Sequence, residues 1–279
     1  MVDVGPGGPR DPDAEATNAE AAARTQLNVG KKERRFRRFW RMLPSAPRCK
    51  MCNGPFGGVG GSISRLVRKG PWPANPKYCE FCFRNLYRDR AGAEIECSLL
   101  FADIRGSTNL GETLRARDFR TLLDRFYETA QEVLIEHDAI VDKFVGDEVI
   151  GIFIPALTDG LHARRAIDAG LALLRSTGHE TDTPWVPIGI GVNTGIAYVG
   201  AVGTAEHVEF TALGDNVNIT ARLASAAAQG ELLVTDGTLL AADFPDDGLE
   251  RRHLDLKGKS EATDVVVLTL GRVPASLSA

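Results

Sequence analysis

No apolar run in this chain approaches the roughly 18 residues needed to cross a membrane as a helix. The longest candidate, Val149 to Leu157, reads as a strand. The first residues do not read as a secretory leader either: they are polar and rich in Gly, Pro and Asp, where a leader needs a basic start and an apolar middle. These absences predict a cytoplasmic protein with reduced thiols. The Gly-rich run at 54–61 has no Gly-Lys-Ser/Thr after it, which excludes a P-loop. An excess of positive charge is also lacking. The chain carries −4, and Lys31 to Arg41 alone carries seven bases and one acid, or +6. The remainder is therefore −10, which speaks against nucleic acid as a partner, because phosphate binding needs a basic surface.

What is present is ordinary for a globular protein. The hydrophobic fraction is 43% and the charged fraction 25% over 279 residues, enough for a normal core in one or two domains. Residues 1–30 are rich in Gly, Pro, Ala, Asp and Glu and predict a disordered tail. Residues 31–47 read as a basic-aromatic helix. Its Phe36, Phe39, Trp40 and Leu43 have helical spacing and predict packing on the neighbouring domain. Weak contact of residues 31–41 with an anionic membrane surface is the alternative.

Residues 48–90 contain Cys49-x-x-Cys52 and Cys79-x-x-Cys82, separated by 26 residues rich in Gly and Pro. Two such pairs predict a small four-cysteine module around a structural zinc ion. An iron–sulfur cluster with the same four ligands is the alternative. Cys97, the fifth cysteine, falls in a strand pattern and reads as a small core residue.

Three stretches carry the chemistry. Ile95 to Ile104 is an apolar strand that delivers Asp103 to its tip, followed by Gly106-Ser107-Thr108 and a helix that Ser107 or Thr108 is expected to cap. Ala139 to Ile154 reads as a hairpin whose turn, Gly146-Asp147, exposes a second carboxylate. Two carboxylates and substrate phosphates are what Mg²⁺ prefers to an all-protein cage. Val208 to Leu223 reads as strand, Gly turn and helix, with Asn218 and Arg222 four apart on one face. An amide and a guanidinium there can grip a sugar oxygen and a phosphate.

The motifs Phe101-Ala-Asp-Ile-Arg-Gly-Ser-Thr108, Lys143-Phe-Val-Gly-Asp147, Gly191-Val-Asn-Thr-Gly195 and Thr211-Ala-Leu-Gly-Asp-Asn-Val-Asn-Ile-Thr-Ala-Arg222 occur in that order. In this combination the chain resembles the class III nucleotidyl cyclases over about residues 93–272. The resemblance implies an α+β fold with a ferredoxin-like βαββαβ core; residues 273–279 would be a tail. It implies conversion of ATP to cyclic AMP and pyrophosphate, with guanylyl cyclase or a silent nucleotide-binding regulator as alternatives. Asp103, Asp147 and the Ile104 carbonyl would bind two Mg²⁺ or Mn²⁺ ions. Gly106, Ser107 and Thr108 would line the phosphates. Lys143 and Thr211 would read the base, with Thr where adenylyl enzymes more commonly hold Asp and guanylyl enzymes hold Cys. Asn218 would orient the ribose, Arg222 would meet transition-state charge, and Lys257 would contact the terminal phosphates. The family further implies a homodimer with two sites, each shared between subunits.

Between these motifs, residues 110–136 and 158–177 read as long helices, and Trp185 to Asn193 and Glu231 to Thr235 as strands. A last hairpin, Glu250 to Leu256 and Asp264 to Leu270, closes the domain. The expected architecture is a sheet with its helices on one face.

Overall fold

The computed structural model describes residues 35–40, 42–43, 47–72, 75–82, 92–203, 208–255 and 262–271. Both tails, residues 31–34 of the basic run, residues 83–91 and Lys257 lie outside the described residues.

The core is built on β3 (Gly92–Ile104), α2 (Ser107–Thr113), α3 (Ala116–Glu136), β4 (Ile140–Val145), β5 (Glu148–Phe153), α4 (Pro155–Thr158), α5 (His162–Ser176) and β6 (Ile188–Gly203). Then follow β7 (Val208–Leu213), α6 (Asp215–Ala226), β8 (Leu232–Thr235), α7 (Asp236–Ala241), β9 (Glu250–Leu254) and β10 (Thr263–Leu268). The sheet runs β4-β5-β3-β6-β8-β10-β9, with β7 paired to β6. Its first four strands, with α3 and α5 as crossovers, form the ferredoxin-like βαββαβ unit. β6 and β8 are parallel and the other pairings antiparallel.

The strands are apolar on both faces because both are covered. Leu100, Ala102 and Ile104 point to the α3 and α5 side, where Phe126, Ala130, Val133 and Leu134 of α3 and Ala163, Ala166, Ile167, Leu171 and Leu174 of α5 complete one core. These helical positions recur at i+3, i+4 and i+7, which makes one apolar stripe. Each fully buried Leu, Ile or Phe contributes about 1.5–3 kcal/mol of transfer free energy. Cys97, Leu99 and Phe101 point the other way, toward Ile140, Ile150, Ile152, Phe210, Ala224 and Tyr78. Cys97 is thus a core residue, as its strand pattern predicts.

Several expectations need correction. Helices lie on both faces: Leu223 and Ala227 of the α6 region bury against Leu233, Val265 and Val267, opposite α3 and α5. Residues 110–136 are not one helix. The chain turns extended at Leu114 (ψ 150°) and Arg115 (ψ 143°), which separates α2 from α3, and Leu114 is 37% exposed. The N-cap of α2 falls on Gly106 at φ +68°, so neither Ser107 nor Thr108 occupies the capping position. A conformation with positive φ suits glycine, which has no Cβ to clash. The helix expected over 158–177 is α5 alone, preceded by the single turn of α4. β6 continues through Gly195 to Gly203 as one strand, its far half pairing with β7 and with the start of β3.

The cysteine module is α1 (Gly58–Leu66), β1 (Pro71–Trp72), β2 (Asn75–Cys79) and the loop carrying Cys49 and Cys52. Of the helix expected over residues 31–47, the described residues 35–40 are helical, whereas 42–43 and 47 are not. Trp40 is 3% exposed, but Phe36 and Phe39 remain about half exposed at 52% and 48%. The anchor is unexpected: Arg37 is fully buried and donates to the main-chain carbonyls of Met51 and Ala139, the latter at 2.6 Å.

Candidate active site

Asp103 is the penultimate residue of β3 and pairs across the ladder with Glu148, the first residue of β5. Asp147 sits beside it in the β4–β5 turn, where Gly146 takes φ +63°. The Ile104 amide donates to the Asp147 carbonyl at 3.3 Å and fixes the turn to the strand end. Tyr127 of α3 donates its hydroxyl to the Gly146 carbonyl and stacks on Phe144 with ring centroids 4.6 Å apart. Three carboxylates thus meet at one sheet end. Burial, and then Asp147, push the Asp103 carboxyl up to about 6, against the opposing pull of Arg105. Burial, and then Asp103 and Asp147, push Glu148 up to about 7. Arg105 pairs with Asp103 and donates through Nη1 to the carbonyls of Ser225 at 2.9 Å and Ala227 at 3.3 Å. Mutual repulsion among partly buried carboxylates is relieved by a cation, so the Asp103–Asp147 pair, close enough to share a hydrogen bond, suits a divalent ion. Glu148 and Arg105 are members of the cluster that sequence patterns do not single out; a charged residue next to each Asp is the available signal.

A second corner gathers Lys143 and Thr211, which are far apart in sequence. Thr211 on β7 donates from Oγ1 to Asp142 Oδ2 at 2.7 Å. Lys143 Nζ lies 3.8 Å from the same oxygen. Asp142 is 2% exposed and Thr211 6%. Burial pushes the Asp142 carboxyl up, opposed first by the Thr211 bond and then by Lys143 and Lys50.

Asn218 and Arg222 do share one face of α6, Asn218 exposed and Arg222 half-buried. Among the described residues no ion pair joins Arg222 to Asp103 or Asp147. The helix is held by its own second residue, Asn216. Its amide donates to Gly195 O at 2.9 Å and Cys97 O at 3.2 Å, and its oxygen accepts from Asn193 at 2.8 Å. Asn193 in turn accepts from Thr235 at 2.7 Å. At Gly191 a Cβ would sit 2.4 Å from the Ala224 amide nitrogen and 2.8 Å from the Thr220 oxygen. The Gly191 to Gly195 motif is therefore the seat of α6.

The sulfurs of Cys49, Cys52, Cys79 and Cys82 all lie within 4.8 Å of one another, and all four residues are buried. They are free thiols, with Cys52 and Cys79 Sγ 3.8 Å apart. A tetrahedral ion with metal–sulfur bonds near 2.3 Å sets its ligands about 3.8 Å apart, so the cluster fits a metal centre. Hydrogen bonds from neighbouring thiols, first Cys49, hold Cys52 and Cys79 below the usual thiol range. Burial pushes Cys49 up, and bonds to the other three thiols push Cys82 up. Among the described residues no other His, Cys, Asp and Glu group of three is so tight. None of the helices among those residues is long and apolar enough to cross a membrane.

Residues 91–269 match the family described as the adenylate and guanylate cyclase catalytic domain. The chain belongs to that family. It is 32% identical over 177 residues to a terminal-differentiation-specific adenylate cyclase of Dictyostelium discoideum, covering 60% of this chain and 8% of that protein. It is 27% identical over 179 residues to an adenylate cyclase of Anabaena cylindrica, covering 60% of this chain and 36% of that one. The chain thus spans well under half the length of these relatives. Among solved structures it resembles the adenylyl cyclase CyaB from P. aeruginosa, with TM-score 0.57, 27% identity, and coverage of 66% of this chain and 99% of that one. The guanylyl cyclase Cya2 is equally similar in fold, with TM-score 0.57, 26% identity, and coverage of 63% and 92%.

Proposed function

We propose that the chain is an adenylyl cyclase, converting ATP to 3′,5′-cyclic AMP and pyrophosphate at a homodimer interface. The observation that carries the choice of base is the corner in which Lys143 and Thr211 meet on Asp142. An ammonium there donates to adenine N1, and a hydroxyl accepts from the exocyclic amine. The relatives named adenylate cyclase support this reading, while the likeness to Cya2 keeps GTP as the second reading.

Asp103, Asp147 and the Ile104 carbonyl would hold two Mg²⁺ or Mn²⁺ ions. When bound, such ions lower the pKa of the ribose 3′-hydroxyl and neutralise the triphosphate. The 3′-oxygen attacks the α-phosphorus, loses its proton, and pyrophosphate leaves. Asn218 orients the ribose. Arg222 stabilises charge growing on the α-phosphoryl oxygens. Gly106, Ser107 and Thr108 line the phosphates, and Lys257 reaches their far end. Residues 48–90 bind one structural Zn²⁺ through Cys49, Cys52, Cys79 and Cys82, an iron–sulfur cluster being the alternative occupant. The cellular site that fits these chemistries is the cytoplasm.

The deciding experiment incubates purified protein with Mn²⁺ and either ATP or GTP and identifies the cyclic product. Faster formation of cyclic GMP overturns the adenylyl reading. Absence of any product supports the silent regulator instead.

A further inference from the structure

None of the roles above uses Asp142. It lies on β4 between Val141 and Lys143 and is 2% exposed. Its Oδ1 finds no hydrogen-bond partner among the described residues. A buried, unpaired carboxylate oxygen costs stability, so packing does not explain an acid at this position.

The arrangement around Oδ2 does. A threonine hydroxyl has one proton and two lone pairs. The Thr211 proton goes to Asp142 Oδ2 at 2.7 Å; the other acceptor in reach, the Ala212 carbonyl, is at 3.5 Å and far weaker. Oδ2 accepts that proton whether or not Oδ1 is itself protonated. What Thr211 has left to offer a ligand is lone pairs only. Lys143 beside it has only donors; its nitrogen lies 3.8 Å from the same Oδ2, beyond hydrogen-bond reach.

We infer that Asp142 is a positioning residue for purine selectivity: by taking the Thr211 proton it makes that hydroxyl an obligate acceptor next to the obligate donor Lys143. The inference rests on the base-reading roles proposed above and deepens them. An acceptor beside a donor matches a 6-aminopurine, whose amine donates and whose N1 accepts. A 6-oxopurine presents an acceptor and an N1–H, so both contacts are opposed. Sites that hydrogen-bond one edge reject the mismatched analogue because buried polar groups are left unpaired. Without Asp142 the hydroxyl rotates and can donate to a 6-oxo group. The metal carboxylates and Arg222 are not touched by that change.

The test measures kcat/KM for ATP and for GTP in the wild type, Asp142→Ala, Thr211→Val and the double variant. Asp142→Leu, which fills the buried space with apolar volume, stands in if Asp142→Ala fails to fold. The ATP-to-GTP ratio is expected to fall about tenfold in Asp142→Ala, mostly through KM for ATP, the scale of losing one or two hydrogen bonds. Thr211→Val should lower it similarly, and the double variant should be no worse than Thr211→Val alone, because Asp142 acts through that hydroxyl. An unchanged ratio in the Asp142 variants, whatever their absolute rate, overturns the inference. So does a double variant whose loss is the product of the two singles. A wild type that makes no cyclic nucleotide, or prefers GTP, fails before any variant is compared; that result refutes the adenylyl reading and this inference with it.

Discussion

Lys50, inside the Cys49–Cys52 knuckle, donates its ammonium to the main-chain carbonyl of Asp142. A second tie runs parallel to it: the Phe210 amide donates to the Tyr78 hydroxyl at 2.9 Å. Lys50 lies between two of the clustered cysteines and Tyr78 directly precedes a third. Asp142 precedes Lys143 and Phe210 precedes Thr211. The cysteine module is therefore built into the scaffold of the corner proposed to read the base.

The module predicts its own metal content. Freshly purified protein should hold about one zinc ion per chain, measured by elemental analysis; finding neither zinc nor iron sinks this reading. Site formation and local folding are coupled in such modules, so Cys49→Ser should expose residues 48–82 to hydrogen exchange more than the cyclase core. Through Lys50 and Tyr78 it should also raise KM for ATP by roughly 2- to 12-fold, the scale of one hydrogen bond. Unaltered KM in a variant that has lost its metal would show that the two ties are passive.

Gly191 makes a sharper structural prediction. Its missing Cβ would meet main-chain atoms of α6, which cannot yield as a flexible side chain would. Gly191→Ala should lower stability by about 1–3 kcal/mol through overpacking, read by urea denaturation. It should also lower kcat, because α6 carries Asn218 and Arg222. A variant as stable and as active as the wild type would mean that the helix relaxes freely.

The sequence makes some of this legible and not the rest, for physical reasons. Asp103 and Asp147 stand out because a strand end and a hairpin turn are local patterns, and Asn218 and Arg222 because helical spacing is local. The four cysteines are readable from spacing alone. Asp142, Tyr78, Arg37 and Asn216 are not, since each acts through a contact across the fold, mostly to a main-chain group that any residue could supply. The α2–α3 break is hidden for a related reason: the apolar spacing runs through Leu114, although the backbone there is extended. The side of the sheet that α6 covers depends on Gly189 and Gly191, where an absent side chain leaves no periodic signal.

His162 supplies a pH prediction free of any metal. It is 7% exposed and its Nδ1 lies 2.9 Å from Ser98 Oγ. Burial lowers its pKa, opposed by Glu96 at 3.7 Å. The folded value is thus below the unfolded one, near 6.5. Below pH 6.5 the unfolded chain binds a proton that the folded chain resists, so stability is fully present above that pH and is lost as pH falls toward the lowered folded value. The wild type should lose more stability between pH 8 and pH 5.5 than His162→Gln does, by urea denaturation at both. Equal losses would place the histidine in a neutral environment.

The proposed metal carboxylates, Asp103 and Asp147, cluster at one end of the sheet, while Asn218 and Arg222 present a separate face of α6 without an ion pair to them among the described residues. If each site takes its carboxylates from one subunit and its base-reading, ribose and phosphate residues from the other, a monomer holds two incomplete halves. A two-fold dimer then holds two complete sites. Asp103→Ala removes a metal ligand from both sites of a homodimer, and Arg222→Ala removes transition-state charge from both, so each variant alone should be nearly inactive. In a mixed dimer one site inherits both lesions and the other inherits neither. Co-expression with two different affinity tags and sequential purification isolates that mixed dimer. Its cyclic AMP production should return to about half the wild-type rate per dimer, from the one intact site. A site contained within one chain predicts the opposite, since every chain in the mixture carries one lesion. Mixed dimers as inactive as their parents would therefore rule out the shared site for this protein.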